Sequence, residues 1–255
     1  MNLRKTNAAL LAALILLAFA APAAHAERLV TSLSTHRVLI SSNFTGTSLV
    51  LFASIEDSDA PRDKPKKYDV AITVRGPATT FVTRKKERVL GLWVNYDSRR
   101  YPETPSYLAV LTNRPPTEFG PLALQTKYKL GLSIAALPPI ISDDDEFGEA
   151  LLRVKKAEGL FHEQTNAVTF LTPTLFRATL PIPGVAPTGP YEIDVQVFAN
   201  GALAAQQSTA IEVVKTGFEA DVAHLARDSR LDYGLGVAFL AIVVGTLAGL
   251  IFRRN

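Results

Sequence analysis

In the run Tyr191-Glu192-Ile193-Asp194-Val195-Gln196-Val197 every second residue is apolar. Side chains of a strand alternate between its two faces, so this run predicts a strand with one face in a core and one in water. Runs rich in Val, Ile, Leu, Phe and Thr recur along the chain. They predict strands over residues 29–33, 37–41, 48–55, 68–75, 79–83, 89–95 and 107–111, and again over 168–171, 175–180, 191–199 and 202–214. Asn200-Gly201 separates the last two. A two-residue hairpin turn needs φ > 0 at both positions, which Asn and Gly tolerate, so a tight hairpin is expected there. Pro187-Thr188-Gly189-Pro190 predicts a turn just ahead of it.

The period changes from two to about 3.6 between residues 142 and 161. Phe147, Ala150, Leu151, Val154, Ala157 and Phe161 recur at helical spacing, and Ser142-Asp143-Asp144-Asp145-Glu146 precedes them. Ser is a good N-cap and acids in a first turn complement the helix dipole, so an amphipathic helix of about four turns is expected. A short helix is expected within 122–137, ended by Pro138-Pro139. Phe218, Val222 and Leu225 share a helical face, which predicts a juxtamembrane helix over 217–232. Many strands, closing on a turn, a long strand, a tight hairpin and another long strand, fit an immunoglobulin-like β-sandwich with a helical insertion. Trp93, the only Trp, falls on the predicted strand 89–95, where packing at the core or its rim is the expectation.

Both ends of the chain lack any alternation. Arg4 and Lys5 precede an uncharged apolar run over 8–21, Pro22 follows, and Ala24-His25-Ala26 has the small-x-small pattern of a cleavage site. Residues 1–26 therefore read as a secretory signal. Residues 234–252 contain no charge, and Arg253-Arg254 follow at once. Such a run approaches the length that crosses a bilayer, and flanking positive charge favours the cytoplasmic side. The expected domains are a signal peptide 1–26, a periplasmic sandwich 27–216, a juxtamembrane helix 217–232, a transmembrane helix 233–252 and a cytoplasmic tail 253–255. Ala241, Gly245 and Gly249 recur every four residues in the span. Small residues at this spacing let another helix approach, so they are the expected packing face in the bilayer.

Composition narrows the chemistry. A hydrophobic fraction of 47% excludes a disordered chain, and the absence of Cys excludes disulfides, thiolate metal sites and a Cys nucleophile. The net charge of +3 suggests an anionic partner at first sight. Without Arg4, Lys5, Arg253 and Arg254, however, 23 basic residues face 24 acidic ones, so the basicity belongs to the ends. What remains is internal asymmetry. Between Arg62 and Arg114 there are 12 basic and 5 acidic residues, a local net of +7.

Within that stretch Arg84-Lys85-Lys86-Glu87-Arg88 reads as a solvated turn between strands, with Arg75-Gly76-Pro77 at a strand end upstream. Arg75, Arg84, Lys85, Arg88, Trp93 and Asn95 are the candidate interaction patch, for anionic lipid headgroups, an acidic partner or a small oxyanion. Convergent cations in a concavity would favour the small anion; a protruding basic face would favour lipid or protein. No nucleic acid is expected outside the cytoplasm. No nucleophile elbow, P-loop, dinucleotide fingerprint or zinc-protease spacing occurs, so neither catalytic residues, metal nor cofactor is assigned. An enzyme of unrecognised type would place His36 or His162 beside a carboxylate in a cleft.

Several runs together resemble the alphaproteobacterial putative transmembrane protein family, a family of unknown function. They are Phe44-x-Gly46, Tyr68-Asp69-Val70, Arg75-Gly76-Pro77, Arg84-Lys85-Lys86-Glu87-Arg88 and Trp93-Val94-Asn95, then Leu175-Phe176-Arg177-Ala178, Pro187-x-Gly189-x-Tyr191, Lys215-x-Gly217-Phe218-Glu219 and Phe252-Arg253-Arg254. The resemblance implies an exported domain on a C-terminal span in a Gram-negative inner membrane, and an accessory role beside a transporter or membrane complex. It implies no activity. The expected function is a membrane-anchored, non-enzymatic interaction module, with a periplasmic small-anion-binding module as the alternative.

Overall fold

Among the described residues, twelve strands carry the fold. A computed structural model describes residues 27–56, 67–137, 145–217, 226–227 and 229–252. The signal segment, the tail 253–255, the cap residue Ser142 and most of the juxtamembrane segment lie outside the described residues.

The strands are β1 (Arg28–Leu33), β2 (Arg37–Ile40), β3 (Gly46–Glu56), β4 (Tyr68–Arg75), β5 (Ala78–Val89), β6 (Leu92–Pro105), β7 (Leu108–Thr112), β8 (Phe161–Gln164), β9 (Val168–Phe170), β10 (Leu175–Pro183), β11 (Gly189–Ala199) and β12 (Ala202–Lys215). The helices are α1 (Leu122–Tyr128), α2 (Leu132–Ala136), α3 (Glu146–Ala157) and α4 (Arg230–Phe252). One sheet has the order β1-β3-β10-β9, a second β2-β12-β11-β4-β7-β8, and β5-β6 form a separate two-stranded ribbon.

Alternation explains the first sheet. Leu49, Leu51, Ala53 and Ile55 of β3 and Phe176, Ala178, Leu180 and Ile182 of β10 point inward. They join Val70, Ile72, Val74, Ile193, Val195 and Val197 of the second sheet in one apolar cluster. Burying such side chains contributes roughly 1.5–3 kcal/mol each. The second sheet is also covered outside: Ala71 and Phe198 pack with Phe119 and Leu130 from the segment around α1. This is why β4 is buried along nearly its whole length.

Three segments differ from the sequence expectation. The predicted strand 89–95 is broken, because Leu90 (φ 51°) and Gly91 (φ 87°) form a two-residue turn between β5 and β6. The basic run is consequently no turn but the outer half of a 12-residue strand. The insertion helix starts after Asp145 and ends by Gly159, and Phe161 belongs to β8 instead. The expected short helix is two, divided where Lys129 and Gly131 take positive φ.

α4 is a 23-residue helix that begins three residues before the expected span. Its Leu235, Phe239, Leu240 and Ile242 are all largely exposed. Among the described residues no helix is long and apolar enough to cross a membrane; the unbroken run of described side chains in α4 covers residues 233–249.

Candidate functional site

The β5–β6 ribbon begins as a continuation of the second sheet. Arg75 pairs with Leu108, the Gly76 amide donates to the Tyr107 carbonyl (2.8 Å), and the Ser106 amide donates to the Pro77 carbonyl (2.9 Å). Pairing then runs from Ala78–Pro105 to Val89–Leu92. Gly76 is required at the root, since a Cβ there would lie 2.9 Å from the Cβ of Tyr107. Register places this root at a particular end of the sheet. Arg75 is opposite Glu192, near Gly189 and its partner Val213, so the ribbon leaves by the end at which β12 finishes.

Pairing and alternation divide the ribbon into two faces. Residues directly opposite in an antiparallel pair share a face. One face carries Phe81, Thr83, Lys85, Glu87 and Val89 of β5, with Leu92, Val94, Asp97, Arg99 and Tyr101 of β6. It packs against α3. Asp145, buried at the start of α3, accepts hydrogen bonds from Arg99 Nη1 and the Tyr101 hydroxyl, each at 2.6 Å. Lys85 Nζ meets Glu146 at 2.9 Å, Lys155 sits over the Phe81 ring, and Arg99 over the Phe147 ring. Burial, reinforced by the Asp145 bond, pushes the Tyr101 hydroxyl up to about 12. The bond to Glu146 raises Lys85 from its ordinary value.

The opposite face carries Val82, Arg84, Lys86 and Arg88 of β5, opposed by Arg100, Ser98, Asn95 and Trp93 of β6. Arg84, Lys86, Arg88 and Arg100 are exposed, and no acidic residue shares their face. Trp93 is directly opposite Arg88 and 69% exposed. Leu90, at the tip, is 99% exposed. Tyr96 lies at the ribbon's irregularity beside Lys85/Lys86 and is also exposed.

The six-residue candidate patch therefore divides. Arg84, Arg88, Trp93 and Asn95 are brought onto one face. Lys85 faces the other way, toward Glu146, because neighbours in a strand alternate. Arg75 belongs elsewhere: its guanidinium is paired with Asp194, which also accepts from the Ser208 hydroxyl. Trp93 is not at the core or its rim, since the ribbon carries it away from both sheets. Lys86, Arg100, Leu90 and Tyr96 were not in the patch. Strand periodicity gives Lys86 once β5 is extended, and Gly91 inside an apolar run was the signal for the turn.

Two more cations of the basic stretch serve structure. Arg114 grips Asp69 through Nε and Nη2, and Arg99 holds Asp145. A cleft of about 390 Å³ at the ribbon's root is lined by Phe81, Ser106, Leu160 and Pro187 with one cation, Lys155. That ammonium already meets Glu158 at 2.7 Å. A second cleft, of about 520 Å³, includes one cation, Arg28. His36 is exposed and His162 is half-buried against the Tyr107 ring, its Nε2 without a hydrogen-bond partner; neither is bonded to a carboxylate. No cluster fit to hold a metal occurs among the described residues. Ala241, Gly245 and Gly249 lie exposed along α4, with open space beside Gly245 and Gly249.

A family model described as Putative transmembrane protein (Alph_Pro_TM) matches residues 28–254. No curated protein matches the chain. Among solved structures, AggA, the major subunit of aggregative adherence fimbriae type I from Escherichia coli, is 12% identical, with a TM-score of 0.27, over 74% of this chain and 95% of that one. The bacterial superantigen toxic shock syndrome toxin-1 is 8% identical, with a TM-score of 0.23, over 74% of this chain and 100% of that one. Scores this low support no inference about shared function.

Proposed function

The chain belongs to this family of putative transmembrane proteins, and on that premise we propose that it is a membrane-anchored, non-enzymatic interaction module. The carrying observation is α4. Its 23 residues extend about 34 Å at 1.5 Å per residue, its charges are confined to Arg230 and Asp232 at the start, and among its described side chains Leu235, Val237, Phe239, Leu240, Val244 and Leu247 are exposed around the helix. Such a surface is stable in hydrocarbon and costly in water. The signal pattern at 1–26 and Arg253-Arg254 support an inner-membrane protein with a periplasmic domain and a cytoplasmic C-terminus. Ala241, Gly245 and Gly249 then present a close-packing face to another membrane helix.

The domain reads as an immunoglobulin-like sandwich. Its sheets, β1-β3-β10-β9 and β12-β11-β4, follow the strand order of that fold, with β2, β7 and β8 as additions to the second sheet. The Tyr191 hydroxyl donates to the Pro187 carbonyl four residues upstream (2.7 Å), the contact of a tyrosine corner. The β5–β6 ribbon, inserted between β4 and β7, is the surface offered to a partner. A protruding cationic face favours lipid or protein over a small anion, which needs cations converging on a cavity.

Alkaline carbonate extraction of native membranes tests the anchor: the full chain should stay in the pellet, and release into the supernatant would refute it. Mild-detergent purification followed by mass spectrometry tests the accessory role beside a transporter, which fails if the protein is recovered alone. A thermal-shift panel of sulfite, sulfate and phosphate should move nothing; a specific shift would support the small-anion module instead.

A further inference from the structure

Two devices in the β5–β6 hairpin are expensive unless used. The first is Leu90 at the tip. A bulky residue at φ 51° is strained, and its side chain is 99% exposed. Leu92 and Trp93, 70% and 69% exposed, lie just behind it. The second is the face bearing Arg84, Lys86, Arg88 and Arg100, with no acid and no ion pair. Like charges on a single face repel one another and are relieved by a polyanionic surface.

The spacing of these devices fits one geometry. Arg88 is two residues behind Leu90, about 7 Å along an extended strand, and Lys86 and Arg84 follow at the same step. Interfacial elements bury their apolar part about 5–10 Å into the boundary between headgroups and acyl chains. With Leu90 at that depth, Arg88 and Lys86 reach the phosphates, and Trp93 and Tyr96 take the interfacial position that their amphipathic rings prefer. The ribbon leaves the sandwich by the end at which β12 finishes, and only residues 216–229 separate that end from α4. A ribbon whose shorter strand has 12 residues reaches about 40 Å, enough to meet a bilayer on that side of the domain.

We propose that the β5–β6 hairpin docks on an anionic lipid surface, inserting Leu90, Leu92 and Trp93 among the headgroups while Arg88 and Lys86 bind lipid phosphates and Arg84 and Arg100, farther back on the same face, add to the attraction. The proposal deepens the reading of α4 as an anchor and fixes the domain by a second point on the same membrane. Four like charges on one face disfavour a second copy laid against it.

The single Trp makes the test direct. Full-length protein is mixed with phosphatidylcholine vesicles, with or without phosphatidylglycerol. Flotation is read with each, and so are Trp93 emission and its quenching by brominated lipid. Flotation with both vesicles, joined by blue-shifted, lipid-quenched Trp93 only where phosphatidylglycerol is present, is the expected result. The variant R84E/K86E/R88E should still float and lose the Trp93 response, at about fivefold weaker lipid contact per cation removed. L90N, which relieves the turn, should weaken it too.

Flotation with both vesicles but water-exposed Trp93 in each would overturn the docking and leave the anchor standing. Flotation only with phosphatidylglycerol, lost in the triple variant, would support docking and refute the anchor. Flotation with neither refutes both. Trp93 shielded in native membranes, but not in vesicles of their extracted lipids, would assign the hairpin to a protein and overturn the lipid proposal. So would shielding that depends on protein density without brominated-lipid quenching, which would mean a second copy.

Discussion

Leu90 and Asn200 hold the same backbone conformation in two different hairpins. Their φ angles are 51° and 52°, and each is followed by a glycine of positive φ, Gly91 or Gly201. Asn suits this position because its short side chain tolerates the left-handed region; Leu does not. Leu90→Asn should therefore stabilise the ribbon, by about 1 kcal/mol. Amide exchange of the β5–β6 pairs measures this, and faster exchange in the variant would contradict it.

Asp145 closes the ribbon's root onto α3. Replacing it with Ala leaves the buried Tyr101 hydroxyl and the half-exposed Arg99 without their acceptor. The cost should be about 2–3 kcal/mol, read by chemical denaturation. Asn retains an acceptor for one of them and should cost less. Equal stability of Asp145→Ala and the parent would show that the latch is inert.

Gly148 opposes two tendencies in one substitution. Ala is the better helix former by about 1 kcal/mol. Yet its Cβ would stand 2.8 Å from Asp145 Oδ2 and 3.1 Å from Leu137 Cδ1, and Asp145 is held by Tyr101. Gly148→Ala should be destabilising by about 1–3 kcal/mol because overpacking outweighs propensity. A rise in melting temperature would show that Asp145 yields.

Three buried tyrosines set an alkaline limit. Burial raises Tyr101 to about 12 and lifts Tyr107 and Tyr191 as well. The unfolded chain releases these protons near pH 10, before the folded chain does. Stability from the neutral hydroxyls is thus complete below about pH 10 and is lost as pH rises through the folded values. Melting temperature should fall steeply above pH 10, and Tyr101→Phe should soften that fall. A flat profile between pH 9 and 11.5 would contradict the assignment.

Tyr191 anchors the turn before β11 through Pro187. Tyr191→Phe keeps the buried ring and loses the hydroxyl bond, at about 1–1.5 kcal/mol. A smaller loss would show that the turn holds without it.

Local pattern reaches far in this chain. The boundaries of β4 match the expectation, and β3, β10, β11 and β12 extend it by a few residues at their ends, because a period of two in a buried strand is written in neighbouring residues. The apolar character of α4 is equally local, since it is a property of one uninterrupted run. The basic stretch is where local reading stops. Arg84 and Lys85 are adjacent in sequence, and their roles diverge only once β5 is known to continue through them. A turn at Leu90 decides that, and Leu is a poor turn residue.

Arg75 makes the same point at longer range. Its charge belongs to Asp194, 119 residues away, and nothing in Arg75-Gly76-Pro77 announces that partner. Residue type and local spacing were enough to read most of the sandwich strands, the apolar terminal helix and the concentration of positive charge, but not β8 or the turn that divides β5 from β6. Which cations pair with buried aspartates, and which stand free on one face of a protruding ribbon, emerges from the fold alone. Pairing register brings distant carboxylates to Arg75, Arg99 and Arg114, and leaves Arg84, Lys86, Arg88 and Arg100 with none.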